Sequence, residues 1–531
     1  MLRPIATDTA DFPSLRKRGC IYVDKTAYVH RLATDLNTRL FFMSRPRRFG
    51  KSLTVSVLKA LFQARRELFD GLAIDKLDWQ WEKHPVIHFE FNNVSVDTQE
   101  LFDKTFPSVV KRSLEAAGFR YNPDEDCSIN FGDAIESLSA ASGGKGVVIL
   151  IDEYDAPVGH CLHDVQMAEA VRARLSSLYS QMKNRTGDIR LLFMTGVSKF
   201  TKLSVFSALN NIVDVSQVAE YATMLGYTEE ELGANFEEHM REHARVMGKS
   251  YEDYRAEMKR WYNGYRFSPE VETTVYNPIS VAYTLSKKER SFKPTWATTG
   301  RSSMLMNYLK SVDVPGFDVE RLPGVGAWVF DVAELRKLSP IALLYQAGYL
   351  TIKDYDPDSW LYTLGVPNDE VRRDLCTLMT GVAANEDVQW AESLGDKLRA
   401  ARWDDVFDGL KALYAAVAYG STERRVHENA YGRCLAFLLA SCGFRFRMED
   451  VQSGGRADIV AEHPAETCIF ELKVDEPVDK AFAQIRAKGY AEPYLASGKP
   501  IWFVGLSFDS KTRRLVDCAA ARYDAQSPDL V

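Results

Sequence analysis

The chain has 531 residues, enough for three or four domains at about 150 residues each. Hydrophobic residues make up 46% and charged residues 26%, a balance that excludes long disordered stretches. A formal net charge of -7 excludes a surface that is basic all round, but it leaves room for a local anion site.

The charge is uneven along the chain. Residues 1–70 carry 14 Lys/Arg against 6 Asp/Glu, a balance suited to facing nucleotide phosphates. Residues 421–500 carry 11 basic against 12 acidic residues, so they form no basic patch in sequence. The eight cysteines are scattered, with no Cys-x-x-Cys pair and no zinc-ligand spacing. They read as reduced thiols of a cytoplasmic protein. The opening MLRPIATDTADF has no apolar core of a signal peptide, and runs such as VVILI are too short to span a bilayer.

In chain order, CIYVDKTAYVHRLA reads as a short strand followed by a helix, and LFFMS at 40–44 as a strand. An Arg-rich turn follows. In the next run Leu53, Val57, Leu58, Leu61 and Phe62 share one helical face. PVIHFEFNNVS at 85–95 alternates as a strand, two helices follow, and GKGVVILIDEYDAP is a buried strand ending in acids. A helix near 168–182 and the strand DIRLLFMTGVSKF complete a strand–helix alternation, the pattern of a parallel α/β domain over residues 1–215. Residues 216–415 read as mostly helical, with a helix at 340–347 leading into a two-stranded hairpin. A last unit over 416–531 begins with a helix around HENAYGRCLAFLLASCGF and continues into strands and a further helix at 478–490.

The strand–turn–helix at 40–62 carries RPRRFGKS at 45–52. A phosphate-binding loop needs backbone N–H groups at a helix N-terminus, a lysine for the outer phosphates and a hydroxyl for Mg²⁺. Lys51 and Ser52 meet these needs, and Gly50 suits the tight entry to the helix. Arg47, Arg48 and Phe49 complete the loop. Arg45 stands where the general pattern has its first Gly. The strand VVILIDEYD ends in Asp152, suited to holding Mg²⁺, and Glu153, suited to orienting the attacking water. On the third strand, Thr195 or Ser198 is placed to sense the outer phosphate or to cap a helix. Asn210 and Asn211 are equally open. Arg260, Arg266 and Arg301 are candidate charge donors that the sequence does not rank.

A second constellation lies near the C-terminus. Asp458 sits in the strand GRADIVAEH, and Glu471 and Lys473 in CIFELKV, with HPAET as the turn between them. Residues two apart in a strand share a face, so Glu471 and Lys473 point the same way and Asp458 can join them. Two carboxylates so placed offer hard oxygens to Mg²⁺ or Mn²⁺, with the Leu472 carbonyl as a further donor. Lys473 suits stabilising phosphoryl charge or positioning water. Glu428 on the preceding helix is a candidate extra metal ligand, and Gln484 on the following helix a candidate for positioning substrate. Lys488 and Tyr490 could touch a phosphate backbone. An idle surface Glu–Lys pair is the plainer alternative, but charges in so apolar a strand are costly unless they have work.

Across nearly its whole length the chain resembles bacterial and archaeal AAA-ATPase-like proteins that end in a nuclease domain of the PD-(D/E)xK superfamily. The resemblance runs through YVDKT, RPRRFGKS, LIDEYDAP, TGVSKF, FSALNNIVD, WYNGYRF, YNPIS, GRADIV, FELKV and AFAQIRAKGY. It implies a P-loop NTPase domain, a helical middle and a restriction-endonuclease-like α/β domain. It further implies that Arg45 is the family's own variant, that Lys51, Ser52, Asp152 and Glu153 serve ATP and Mg²⁺, and that Asp458, Glu471 and Lys473 are the catalytic set. Ala457 stands where the superfamily's name has Pro. The expected activity is ATP-regulated, metal-dependent cleavage of DNA or RNA. The alternative is a nucleotide switch whose last domain binds nucleic acid or protein without cutting. A homo-oligomer or protein partner stays open.

Overall fold

A computed structural model describes residues 2–162, 164–199, 209, 211–286, 291–296, 305, 308–309, 319–330, 339–384, 394–395, 397–398, 400–416, 428–442, 444–452, 455–463, 465–512 and 514–523. They group into two compact units, Met1–Tyr308 with Glu320–Glu370, and Leu309–Val319 with Val371–Val531.

The first unit is built on a five-stranded sheet of β1 (Leu40–Ser44), β2 (Val86–Glu90), β3 (Val147–Asp152), β4 (Ile189–Gly196) and β5 (Val213–Asp214). Its order is β2-β3-β4-β1-β5, and every neighbouring pair is parallel. Such a sheet is covered on both faces, which is why β3 reads VVILID without alternation and is buried at every position. The helix Lys51–Phe62 packs against β3, and so does the helix Cys127–Ala141. Because the strands are parallel, the segments leaving β1, β3 and β4 emerge along one edge. The β2 strand stops at Glu90 and turns into a 3-10 helix, Phe91–Asn93, shorter than the alternation predicts.

The expected strand around Tyr22 does not form. Asp24 instead accepts from the N–H and hydroxyl of Thr26, and from the N–H of Ala73. The Thr26 hydroxyl in turn accepts from the N–H of Ile74. Lys25 is buried and bonds Glu231 and the Thr223 carbonyl. These polar side chains hold the backbone where strand pairing would otherwise do so.

Helices Glu229–Met247 and Tyr251–Tyr262 follow in the same unit. The first begins with a reciprocal cap between Thr228 and Glu231. Phe236, Met240, Tyr254, Met258, Trp261, Tyr262 and Phe292 build a core between them. The expected hairpin forms as β7 (Thr351–Asp356) and β8 (Leu361–Gly365), and β6 (Leu322–Val325) adds a third strand on the β8 side.

The second unit holds a mixed sheet of β9 (Arg445–Gln452), β10 (Gly455–Glu462), β11 (Thr467–Val474), β12 (Ile501–Phe508) and β13 (Leu515–Arg522), ordered β13-β12-β11-β10-β9. β9, β10 and β11 form an antiparallel meander. β11 and β12 are parallel and need a crossover, supplied by the helix Val478–Ala487. The helix Glu428–Ser441 packs on β9, β10 and β11. β13, LVDCAAAR, escapes a sequence reading because its alanines are poor strand formers; its antiparallel pairing with β12 imposes the extended form.

Candidate functional sites

At the end of β1 the chain turns through Arg45–Gly50 before the helix Lys51–Phe62 begins. Gly50 has φ +98°, in the left-handed region, and a Cβ there would meet nothing within 4 Å. Glycine is therefore required by conformation, not by space. Arg48 adopts the same region with φ 69°, at a cost of about 1–2 kcal/mol for an L-residue. The loop bends so that the N-terminus of the helix opens on a cavity of about 720 Å³ in the first unit, lined by Arg47, Arg48, Gly50, Lys51, Ser52 and Glu153 among others.

Arg45 does not face this cavity. Its guanidinium is buried, donates to the carbonyls of Ser44, Ser216 and Tyr221, and lies 4.1 Å from the centre of the Phe267 ring. Burial pulls its pKa down to about 10. Phe49 is also buried, edge-on to Tyr265 and Phe267. The Arg47 carbonyl accepts from Asn277 Nδ2 and Trp296 Nε1, both at 3.4 Å. The loop is thus held by the YNGYRF segment and its neighbours, which explains the aromatic run at 261–267.

Lys51 is buried, and its ammonium donates to the carbonyls of Arg45 and Pro46 at 2.9 and 3.0 Å. Burial lowers its pKa, and the charges of Asp152, Glu153 and Asp155 work against that fall. Ser52 hydrogen-bonds Asp152, whose pKa burial raises. Glu153 has φ 50°, and its N–H donates to Asp152 Oδ1. Burial and the adjacent Asp152 charge raise its pKa too. A carboxyl so perturbed beside a cavity is fitted for proton or water handling.

Thr195 is fully buried, and its hydroxyl donates to the Met43 carbonyl, tying β4 to β1. Ser198 lines the cavity, with its N–H and hydroxyl both on the Asp155 carboxylate. The Tyr154 hydroxyl donates to the Ser198 carbonyl. The ends of β3 and β4 are therefore clamped by Tyr154 and Asp155, two residues the sequence reading passed over inside DEYD. Asn92 and His160 also line the cavity; a lone polar residue in a 3-10 turn or at the end of a short helix gives no distinctive signal. Asn211 lies in an exposed turn, whereas Asn210 and Arg301 fall outside the described residues. Arg260 pairs with Asp369, and Arg266 bonds the carbonyls of Ser268, Pro269 and Val271.

In the second unit, β10 and β11 pair from Glu462 opposite Thr467 to Ile459 opposite Phe470, and just past that last pair the Asp458 side chain meets the backbone at Leu472. Asp458 Oδ2 accepts from the Leu472 N–H at 2.8 Å. Glu471 is buried. Its Oε1 accepts from Lys473 Nζ at 2.9 Å, and its Oε2 has no partner among the described residues. Burial, reinforced by the Asp458 charge, pushes its pKa up to about 7. Lys473 also donates to the Leu472 carbonyl at 3.1 Å. The three residues expected to act together are brought together.

Gln484 is half-buried, and its amide donates to the Tyr490 hydroxyl at 3.4 Å. Tyr490 is buried in the core between the sheet and the helix Val478–Ala487, while Lys488 is exposed. The side chain of Glu428 falls outside the described residues. Among the described residues no group of three or more His, Cys, Asp or Glu forms a metal cluster. No described helix is long and apolar enough to cross a membrane.

A family described as "Predicted AAA-ATPase" matches residues 4–206, and the PD-(D/E)XK nuclease superfamily matches residues 426–518. The chain is 33% identical over 508 residues to an uncharacterized protein in the vnfD 5' region of Azotobacter chroococcum mcd 1, covering 93% of this chain and 94% of that one. No solved structure matches.

Proposed function

Because the chain belongs to the AAA-ATPase-like proteins that end in a PD-(D/E)xK nuclease-superfamily domain, we propose that it is an ATP-regulated, metal-dependent nuclease. The observation that carries the cleavage reading is the buried Glu471, with one carboxylate oxygen unpartnered among the described residues, beside Lys473 and within reach of the charge of Asp458, which bonds the N–H of the next residue. A buried, unpaired carboxylate oxygen costs folding free energy unless a proton or a cation neutralises it, and a divalent ion is the cation this donor set suits.

In the first unit, the amides at the start of the helix Lys51–Phe62 and the positive end of its dipole favour phosphate. Arg47, Arg48 and Lys51 supply the neutralising charge. Ser52 and Asp152 are the hard-oxygen donors that would hold Mg²⁺. Glu153 would orient the attacking water, and the Asp155–Ser198 clamp fixes part of the same cavity's wall. The cavity is wide enough for a whole nucleoside triphosphate, not its phosphates alone.

In the second unit, Asp458, Glu471 and the Leu472 carbonyl form an all-oxygen donor set that fits Mg²⁺ or Mn²⁺. The bound ion would supply charge neutralisation at phosphorus and a more acidic water. Lys473 would stabilise charge on the phosphodiester or hold the water at its nitrogen. Glu428 and Gln484 stand as accessory residues in this reading.

The test is a cleavage screen of the purified protein over duplex, single-stranded and structured DNA and RNA, with Mg²⁺ or Mn²⁺, with and without ATP. Cleavage lost in Lys473→Ala and in Asp458→Ala supports the reading. No cleavage of any substrate by the unmutated protein sinks it. The balanced charge of residues 421–500 favours a second reading, a nucleotide switch that binds without cutting. Biological activity that survives both substitutions but is lost in Lys51→Ala would select that one.

A further inference from the structure

In the second unit, the ammonium of Lys473 is folded back onto its own strand. It touches Glu471 Oε1 at 2.9 Å and the Leu472 carbonyl at 3.1 Å. A lysine on a strand can extend outward into solvent with its long stem. This one does not, and the residue is only 9% exposed. Those oxygens, the Leu472 carbonyl and one of the two Glu471 carboxylate oxygens, belong to residues of the donor set named above for a divalent ion, while the other Glu471 oxygen, Oε2, has no partner among the described residues. Asp458, the third donor, is bonded to the N–H of the same Leu472. The oxygens thus converge around residue 472, and a cation of this chain is already seated among them.

Resting on the metal reading of this site, we propose that Lys473 is an internal competitor for the metal. Its ammonium holds two oxygens of the donor residues, and it must swing out before a divalent cation can use both of them. Mg²⁺ demands oxygens at about 2.0–2.1 Å in near-octahedral array, which an ammonium within hydrogen-bond distance of the same two oxygens obstructs. Charge supports the exchange. Glu471 and Asp458 together carry up to two negative charges, so one lysine quenches part of the site and a divalent ion can quench more of it. The displaced ammonium is then released toward the phosphodiester, where a lysine is useful. Loading of the ion and deployment of the lysine become one event. A merely structural Lys473–Glu471 pair would stay closed whether or not an ion were present.

The test uses the full-length protein in metal-free buffer. Reductive methylation followed by peptide mass spectrometry reports how far Lys473 is accessible, with and without Mn²⁺. Free Mn²⁺, read by electron paramagnetic resonance, reports binding to the unmutated protein, to Lys473→Met and to Asp458→Ala. The expected result is slow methylation of Lys473 without the ion, several-fold faster methylation with it, and about tenfold tighter Mn²⁺ binding in Lys473→Met. If Mn²⁺ binds in an Asp458-dependent way while Lys473 stays protected, the displacement is overturned and the metal site stands. Equal affinity of the unmutated protein and a folded Lys473→Met also overturns it. If no binding depends on Asp458, the metal site itself falls, and the competition with it.

Discussion

The guanidinium of Arg45 lies 4.1 Å from the centre of the Phe267 ring, facing away from the cavity its own loop encloses. The residue that departs from the general phosphate-loop pattern is therefore a buried anchor. Replacing it by the glycine of that pattern would strip donors from the Ser216 and Tyr221 carbonyls and leave a void. Arg45→Gly is expected to lower stability by about 2–4 kcal/mol, read by urea or thermal unfolding. Arg48→Ala, an exposed change in the same loop, should weaken nucleotide binding and leave the unfolding midpoint close to unchanged.

Lys51 and Glu153 are expected to separate binding from hydrolysis. Lys51→Ala removes the ammonium that would counter the outer phosphates, so nucleotide affinity should fall at least about tenfold in a fluorescence titration. Glu153→Gln keeps the shape and loses the base. It should bind nucleotide within a few-fold of the unmutated protein and hydrolyse it about 10²-fold more slowly or worse. Equal hydrolysis rates would remove Glu153 from the reaction.

Gly196 is required by its neighbours. A Cβ there would lie 2.3 Å from Asp155 Oδ1 and 2.5 Å from the Tyr154 ring. Gly196→Ala must push apart the clamp between the ends of β3 and β4. Nucleotide hydrolysis is expected to drop more than nucleotide affinity, because the displaced side chains adjoin Glu153 on β3's outgoing segment. A protein with unchanged turnover would show the clamp to be dispensable.

Glu370 is fully buried and accepts from the Ser280 hydroxyl, the Thr295 N–H and hydroxyl, and the Trp296 N–H. Burial outweighs these donors and pushes its pKa up to about 7, from an ordinary value of 4.5. A carboxyl raised on folding contributes stability that is full below pH 4.5 and lost as the pH climbs through 7. The unmutated protein should therefore lose up to about 3 kcal/mol relative to Glu370→Gln between pH 4.5 and 7.5. Parallel stability curves for the two proteins across that range would refute the assignment.

The parts of this fold written in local pattern were legible in the sequence. VVILID, LFFMS and IRLLFM announced a covered parallel sheet, and Lys51 and Ser52 announced the helix start where phosphate would sit. Asp458, Glu471 and Lys473 were legible because strand periodicity places alternate residues on one face. What escaped was written in distant partners. Arg45 looked like a basic loop residue, since nothing nearby in sequence reveals carbonyls at 216 and 221. Tyr22 and Val23 looked like a strand, and only Ala73 and Ile74 explain why Asp24 and Thr26 hold that segment otherwise. Asp155 looked like one more acid in a run until its Ser198 partner came into place. The tie from the Thr195 hydroxyl to the Met43 carbonyl is likewise written across two strands and not within one.

The loop that begins the first helix of the sheet is propped from outside its own sequence neighbourhood: Arg47 by Asn277 and Trp296, Phe49 by Tyr265 and Phe267. A fragment trimmed after the fifth strand would keep every residue of the RPRRFGKS signature and lose the scaffolding that shapes it. Recombinant study of nucleotide chemistry in this protein therefore belongs to pieces that extend at least through Glu370, which holds the N–H of Trp296, and a shorter piece that fails to bind would say nothing about the intact molecule.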